Sequence, residues 1–157
     1  MSSRFIQAPA AVVMIRPHRF HPNPETAADN VFQRKPDVSQ SFKEVAKAAY
    51  TEMSRAAETL EGHGVKVHIF EDRGERETPD SVFPNNWFST HQGGHMAVYP
   101  MYSPSRRRER RYDVIEMLKA EYRVQDVIDY SPLEFDDIFL EGTGAMVLDH
   151  MARVAYT

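Results

Sequence analysis

Short apolar segments alternate with helical segments along this chain, and this order constrains the fold more than any other feature of the sequence. The pattern predicts strand, helix, strand, then hairpin, helix, strand, then a final hairpin. Alternating short strands and helices are typical of the α/β class, and the order suggests a repeated ββαβ unit. The elements are expected at residues 12–15, 42–60, 65–70, 88–91 with 95–99, 106–121, 124–128, and 145–148 with 152–156.

The first helix has the most complete sequence signature. Ser41 and Glu44 have the Ser-x-x-Glu spacing of a capping box, and Gly62 and Gly64 supply the stop. Apolar residues recur at spacings of three and four, so we expect them to form one buried face. That face comprises Phe42, Val45, Ala46, Ala49, Met53, Ala56, Ala57 and Leu60. The inner stripe expected for the second helix comprises Tyr112, Ile115, Leu118 and Tyr122.

Charge and composition exclude several classes of protein. The 19 Lys and Arg residues against 23 Asp and Glu residues give a net charge of −4, which argues against a dedicated nucleic-acid binder. The mean hydropathy is −0.55, and no apolar run reaches the about 18 residues of a transmembrane helix. Residues 1–11 lack the apolar region of a secretory signal, so we expect a cytoplasmic protein. The sequence contains 0 cysteines, which excludes disulfides, cysteine-based zinc sites and a cysteine nucleophile within these 157 residues.

A polar cluster at residues 80–87 lies between two predicted strands. Asp80 follows Pro79, and Asn85 and Asn86 come after Pro84. Asp and Asn favour turns because their side chains bond nearby backbone groups. On composition alone a structural turn is the favoured interpretation. The alternative is a pocket for a polar small molecule, because amide donors and acceptors stand beside Trp87, the only tryptophan.

A second cluster places five arginines in the six positions from Arg106 to Arg111. These residues could form a phosphate-binding patch. A solvated helix face is the favoured interpretation, because the net charge is negative and no aromatic residues interleave for base stacking. One arginine turned inward could still hold a carboxylate through its bidentate fork.

A third cluster begins at Glu141, which precedes Gly142-Thr143-Gly144 between apolar residues 138–140 and 145–148. A carboxylate flanked by apolar strand residues is costly to bury unless a cation or several donors accompany it. The glycines permit close approach of backbone or ligand. Functional and structural interpretations are evenly balanced for this cluster alone.

The seven histidines form no recognised ligand motif, and no nucleotide-binding or Ser-His-Asp pattern is present. His91 and His95 are expected to face each other across the Gly93-Gly94 turn, without a third ligand of suitable spacing. We therefore expect no metal and no cofactor.

Taken together, the clusters resemble the guanidino-group modifying enzymes of the pentein superfamily, which include amidinotransferases, arginine deiminases and dimethylarginine hydrolases. The likeness is strongest to the bacterial amidinotransferase-like branch linked to citrulline utilisation. It covers most of the chain from Val12 onward, and its motifs occur in the family's order. They are TPDSVFPNNWFSTH at 78–91, YPM at 99–101, PSRRRE at 104–109 and FLEGTGAMVLD at 139–149.

The resemblance implies a propeller-like ring of five ββαβ units around a substrate channel. Residues 1–157 would supply about two complete units and part of a third, as a single, incomplete N-terminal portion of that domain. The implied chemistry begins when a cysteine thiolate attacks the guanidinium carbon and forms a covalent thiouronium intermediate. A histidine then acts as acid and base, and water or an amine completes the turnover.

The resemblance also implies roles for individual residues. Glu141 matches the acidic residue that pairs with the guanidinium, and Asp80 matches an aspartate of the substrate pocket. Asn85 and Asn86 occupy positions that are often acidic in the family. Arg106 matches an arginine that binds the substrate carboxylate. The implied substrate is an arginine-like or citrulline-like small molecule.

Two departures from the family pattern matter. Asn85 and Asn86 leave less negative charge than carboxylates would, and amides both donate and accept, so they suit a neutral ureido group. The family's nucleophilic cysteine and catalytic histidine are absent from this chain. We therefore expect little or no activity from these residues alone.

Two other classes of function remain open. The chain could be a non-catalytic ligand-binding or assembly module, which pairs with itself or with a chain that completes the fold through an open strand edge near residues 152–157. A nucleic-acid contact through residues 106–111 is less favoured. We expect neither a nucleic-acid nor a membrane partner.

Overall fold

A computed structural model describes residues 8–27, 30, 33 and 41–157. The chain forms two compact units. The N-terminal unit comprises Ala11–Pro84 and Ser103–Glu109, and the C-terminal unit comprises Asn85–Tyr102, Arg110–Thr157 and residues 8–10. The predicted site residues are therefore divided, with Asp80 and Arg106 in the first unit and Asn85, Asn86 and Glu141 in the second.

The N-terminal unit is built on a pair of parallel strands joined by a long helix. Strand β1 (Ala11–Pro17) pairs with β2 (Lys66–Asp72), and α1 (Phe42–Gly62) connects them. A short helix, α2 (Pro104–Arg107), completes this unit. The two predicted strands and the first predicted helix are confirmed, each within a few residues of the expected bounds.

The capping box of α1 is confirmed in detail. The backbone N–H of Glu44 donates to Oγ of Ser41, and the backbone N–H of Ser41 donates to the Glu44 carboxylate at 2.8 Å. The predicted buried face is only partly right, because Ala57 is buried whereas Phe42 is 68% exposed and Ala56 is exposed. Periodicity identifies the side of a helix that carries apolar residues, but it does not show how far the packing partner extends along it.

The C-terminal unit contains a three-stranded sheet. Strands β3 (Phe88–His91) and β4 (His95–Val98) form the predicted hairpin, and Gly93 and Gly94 make the turn at positive φ. Helix α3 (Tyr112–Tyr122) then leads to β5 (Asp126–Asp129), which pairs in parallel with β4. This segment therefore has the ββαβ order expected from the sequence.

The single helix predicted at 106–121 is wrong. α2 ends at Arg107 and α3 begins at Tyr112, while Arg111 has an extended backbone with φ −115° and ψ 115°. The boundary between the two units falls in this interval, between Glu109 and Arg110. The expected inner stripe also differs, because Val114 and Leu118 are the buried residues of α3 whereas Tyr112 is 72% exposed.

The last part of the C-terminal unit is less regular than the sequence suggests. Residues 138–140 form no strand, and a four-residue helix, α4 (Gly142–Ala145), follows directly after Glu141. The final hairpin is confirmed in shorter form as β6 (Val147–Asp149) and β7 (Val154–Tyr156). Ala97, Tyr99 and Met146 form a small buried cluster, and Leu148 packs against it.

The described residues thus make an α/β protein with three small sheets of two, three and two strands, and none of these sheets closes on itself. In the same described ranges, no helix combines the length and the apolar character that crossing a membrane requires.

Candidate functional site

In the N-terminal unit, Asp80 lies in a buried turn and is held by a buried amide. Asp80 is 8% exposed, and Asn23 is 1% exposed. Nδ2 of Asn23 donates to Oδ2 of Asp80 at 2.7 Å, and the hydroxyl of Thr26 donates to the same oxygen at 3.5 Å. The carboxylate therefore receives two donors from one short segment of loop.

Asn23 also connects this turn to the start of α2. Its Nδ2 donates to Oγ of Ser105 at 3.1 Å, and its Oδ1 accepts from the backbone N–H of Glu25 at 3.0 Å. Ser105 in turn donates its backbone N–H and its hydroxyl to Glu25, at 2.9 and 2.7 Å. These two donors, the backbone N–H first, lower the pKa of the Glu25 carboxyl below its ordinary value, and Arg108 adds a smaller effect in the same direction.

Sequence reasoning missed Asn23, Glu25 and Ser105 as site residues. The only available signal was the polar run Asn23-Pro24-Glu25-Thr26 within a proline-containing segment. Polar residues beside proline usually indicate a surface turn, so this run gave no reason to expect a buried asparagine.

A cavity of about 480 Å³ opens beside this network, within the N-terminal unit. Asn23, Glu25, Asp72 and Glu77 contribute polar walls, and Asp80 lies behind Asn23 rather than in the lining. Asp72 itself accepts a hydrogen bond from the Thr78 hydroxyl at 3.1 Å. The volume lies in the range of about 300–1,000 Å³ that is typical of small-molecule pockets.

Arg106 forms a buried ion pair within its own unit. Its Nε and Nη2 donate to the two carboxylate oxygens of Glu109 at 2.9 and 3.1 Å, and Arg106 is 6% exposed. Nη2 also lies 3.4 Å from the carbonyl oxygen of Phe83, which belongs to the turn that starts at Asp80. The guanidinium therefore already meets one carboxylate of its own chain in bidentate geometry.

The remaining arginines of the cluster have separate partners. Arg108 donates to the carbonyl oxygens of Arg76 and Glu77, each at 2.8 Å. In the C-terminal unit, Arg111 pairs with Asp113 at 2.6 Å. The favoured prediction of one solvated helix face is wrong, because the helix is interrupted and Arg106 is buried.

In the C-terminal unit, Asn85 and Asn86 pack against the segment that Glu141 begins. Nδ2 of Asn85 donates to Oγ1 of Thr143 at 2.5 Å, and the Thr143 hydroxyl lies 3.3 Å from the carbonyl oxygen of Asn85. A Cβ atom on Gly142 would lie 2.5 Å from the Asn85 carbonyl oxygen, and one on Gly144 would lie 2.7 Å from Nδ2 of Asn86. The expected role of these glycines in close backbone approach is confirmed.

Glu141 binds the loop at residues 99–102, which contains the Tyr99-Pro100-Met101 motif. Its Oε1 accepts the backbone N–H of Tyr102 at 2.9 Å, and the side chain is half-buried rather than enclosed in a strand. Glu134 acts in parallel, because it accepts the backbone N–H of Met101 at 2.7 Å and a bond from Arg110 at 2.8 Å.

The histidine pair across the hairpin turn is confirmed as a register pair, His91 with His95. His91 also meets the Ser89 hydroxyl at 2.7 Å, and its ring lies 5.8 Å from that of His150. Burial lowers the pKa of His91, and His150 and His95 lower it further. Within the described ranges, no group of three His, Asp or Glu residues is arranged to hold a metal ion.

Comparison with known proteins identifies the family of this chain. A family model described as N,N dimethylarginine dimethylhydrolase, eukaryotic, matches residues 16–157. Neither the curated proteins nor the solved structures that were compared include a match. Because the family match covers both units and all five predicted site residues, the chain belongs to the N,N dimethylarginine dimethylhydrolase family, which is one of the pentein-type families that modify guanidino groups.

Proposed function

We propose that this chain carries the substrate-binding part of an enzyme that hydrolyses an arginine-derived guanidino compound to a ureido product. The cluster of Asn85, Asn86 and Glu141 is the observation that carries this proposal. Asn85 and Asn86 pack against residues 142–144, and Glu141, which directly precedes these residues, accepts the Tyr102 N–H through its carboxylate. The carboxylate suits a guanidinium cation, and the amides suit the neutral ureido group that remains after hydrolysis.

In the proposed reaction, a thiolate adds to the guanidinium carbon of a dimethylated substrate and dimethylamine departs, which leaves a thiouronium. Water then adds to the same carbon, and cleavage of the C–S bond yields a ureido group and regenerates the thiolate. The sum is one dimethylguanidinium plus one water giving one urea and one dimethylammonium ion. Amidinotransferase chemistry, as in the citrulline-utilisation branch, would differ in that an amine replaces the water.

The proposed role of Glu141 is to pair with the guanidinium. Its Oε1 already accepts the Tyr102 N–H, but an ionised carboxylate has about four lone-pair sites and can accept further donors. Asp80 is proposed to bind substrate from the N-terminal unit, with Asn23 as the residue that positions it. Arg106 is proposed to bind the substrate carboxylate, which requires it to share or exchange its bond to Glu109.

The nucleophile must come from outside these 157 residues, because the sequence contains 0 cysteines. Thiolates are effective nucleophiles for this step because a useful fraction is ionised near neutral pH and sulfur is intrinsically reactive. We infer that the chain binds substrate and product but does not complete turnover alone.

Calorimetric binding of L-citrulline, L-arginine and dimethylarginine to the whole chain tests this proposal. We expect citrulline to bind at least as tightly as arginine. Glu141→Gln keeps an acceptor for the Tyr102 N–H but removes the charge, so the two guanidino ligands should bind roughly tenfold more weakly while citrulline changes little. Asp136→Asn, an exposed carboxylate of the same unit, is the matched control and should leave all three affinities unchanged.

Two results would contradict the proposal. Arginine binding much more tightly than citrulline would oppose the role of the amides in ureido recognition. An equal loss of affinity for all three ligands in Glu141→Gln would show that this residue supports the loop rather than the guanidinium.

The final hairpin favours a second candidate function, an assembly module. The hairpin exposes four large apolar side chains: Val147 at 67%, Met151 at 61%, Val154 at 42% and Tyr156 at 57%. In the described chain, β7 pairs only with β6. An isolated two-stranded hairpin is marginally stable in water, so strand addition by a second chain would stabilise it. Light scattering should then show a larger assembly that Val154→Lys dissociates, whereas a monomer at high concentration would oppose self-assembly.

A further inference from the structure

The N-terminal unit contains a second cavity, of about 680 Å³, that the proposed function does not use. Its walls come from the loop after β1 and from residues 42–50, the N-terminal part of α1. Phe20, Phe42 and Tyr50 supply aromatic surface. The volume is suitable for a small ligand.

The charged side chains that the described residues contribute to this cavity are all basic. Arg19 lies on the loop wall, and Lys43 and Lys47 lie on the helix wall, while no Asp or Glu of the described residues lines it. Lys43, Lys47 and Tyr50 share one face of α1 because they are spaced by four and three residues. A concentration of positive charge is unexpected in a chain of net charge −4.

The side chains of these three cations are not engaged by other described residues. Within the described part of the chain, the side chains of Arg19, Lys43 and Lys47 form neither an ion pair nor a hydrogen bond. The adjacent Arg16 is different, because it pairs with Glu71. Glu71 also meets Nε2 of His18 at 2.8 Å, so this carboxylate is already engaged by two basic groups.

The aromatic walls are held in place by ring contacts. Arg16 lies 4.9 Å from the centroid of Tyr50, and the His18 ring meets Tyr50 edge-on at 5.1 Å. His21 meets Phe42 edge-on at 6.3 Å. Phe42, which sequence periodicity placed in the core, is 68% exposed and lines this cavity instead.

We propose that this cavity binds a small organic anion with a planar apolar body, such as an aromatic carboxylate. The ring would lie against Phe20, Phe42 and Tyr50, and the negative group would lie among Arg19, Lys43 and Lys47. The N-terminus of α1 does not supply the anion site, because Ser41 and Glu44 already cap it. This cavity shares Arg19, Phe20 and His21 with the smaller cavity beside Asn23, but none of the five residues proposed to bind substrate lines it.

Titration with 2-naphthoate, followed by calorimetry and by amide NMR, tests this proposal on the whole chain. A ligand of this size is expected to bind with a dissociation constant of about 1 mM or tighter. The largest NMR changes should map to residues 18–21 and 42–50. Inorganic phosphate offers only the negative charge, and the uncharged 2-naphthamide offers only the aromatic ring. Each should bind roughly fivefold more weakly than 2-naphthoate, or weaker still.

Two variants separate charge from apolar contact. Lys43→Gln with Lys47→Gln should weaken 2-naphthoate binding roughly fivefold and remove most of its salt dependence. Phe42→Ala should weaken it about threefold while keeping the salt dependence. Arg55→Gln removes one positive charge from α1 away from the cavity and should leave the affinity within about twofold.

Three outcomes would overturn the proposal. These are phosphate binding as tightly as 2-naphthoate, NMR changes located outside the cavity, and equal effects of the lysine and Arg55 variants. Competition between 2-naphthoate and citrulline would also oppose it, because the two sites would then be one. Failure of citrulline to bind bears only on the proposed enzymatic function.

Discussion

At the scale of single residues, the fold depends on a few polar side chains that receive their partners from distant parts of the chain. Asn23 is separated by 57 residues from Asp80 and by 82 from Ser105, yet it donates to both. A buried carboxylate without donors is strongly unfavourable. The asparagine therefore stabilises both the turn at Asp80 and the beginning of α2.

Replacing Asn23 with Ala should lower the free energy of unfolding by about 2–3 kcal/mol, because it removes the principal donor to a buried carboxylate. Urea denaturation at neutral pH measures this change. Gln125→Ala is the control, because it removes an exposed amide and should change stability by less than about 0.5 kcal/mol. Similar small effects from both variants would show that water replaces the Asn23 donor.

Within the C-terminal unit, Gly142 tests the close approach of the backbone to Asn85. A Cβ atom there would lie 2.5 Å from the Asn85 carbonyl oxygen, at a φ of +22°, so Gly142→Ala should cost about 1–3 kcal/mol. Gly62 has no atom within 4 Å of an added Cβ, and Gly62→Ala at the end of α1 should be neutral or slightly stabilising. Thermal denaturation of both variants measures the contrast, and equal melting temperatures would contradict it.

At the scale of elements, the correct predictions concern structures that are determined by residues close together in sequence. The α1 start depends on Ser41 and Glu44, three residues apart, and the β3–β4 hairpin depends on the glycines within its own turn. The interruption between α2 and α3 was not predictable in this way. It depends on partners remote in sequence, such as the carbonyl oxygens that Arg108 reaches and the Glu134 carboxylate that Arg110 reaches.

The same distinction applies to the candidate site. Sequence motifs identified Asp80, Asn85, Asn86, Arg106 and Glu141, but not their hydrogen-bond partners. The sequence around Arg106 fits a helix in either case. It does not show whether this arginine binds substrate or pairs with Glu109, three positions later. No residue near Asp80 in sequence indicates Asn23, because the two residues are 57 positions apart.

The parallel pair β1–β2 gives a prediction about pH. Arg16 and Glu71 are direct register partners, and the bond from Arg16 lowers the pKa of the Glu71 carboxyl, with a smaller effect from His18. A carboxyl whose pKa falls on folding adds stability above its ordinary value of 4.5, and this contribution disappears as the pH falls through the folded-state value.

Glu71→Gln should therefore reduce the free energy of unfolding at pH 7 by roughly 0.5–1 kcal/mol, since the pair is partly exposed. The difference from the unmodified chain should shrink steadily below about pH 4.5. Urea denaturation across this pH range measures it. Glu52→Gln, an exposed glutamate on α1, should show no such trend, and a constant difference for Glu71→Gln would exclude the ion pair as its source.

At the scale of the whole molecule, the proposed function separates substrate binding from reaction. The residues proposed to bind substrate are carboxylates, amides and an arginine, whereas the sequence contains 0 cysteines. Electrostatic pairing stabilises the bound substrate and the transition state to a similar extent, so by itself it does not accelerate the reaction. It does so only when a nucleophile creates new charge at the reacting carbon. Binding without turnover is the expected behaviour of these 157 residues.

Purified chain incubated with dimethylarginine should release no dimethylamine above the uncatalysed background, although the same sample should bind the ligand. Thiol-modifying reagents should change neither result, because no thiol is present. Dimethylamine release that scales with chain concentration and disappears in Glu141→Gln would require a different nucleophile within these residues. In that case Ser89 would be the first to test, because its hydroxyl lies 2.7 Å from His91, and Ser89→Ala would abolish the activity.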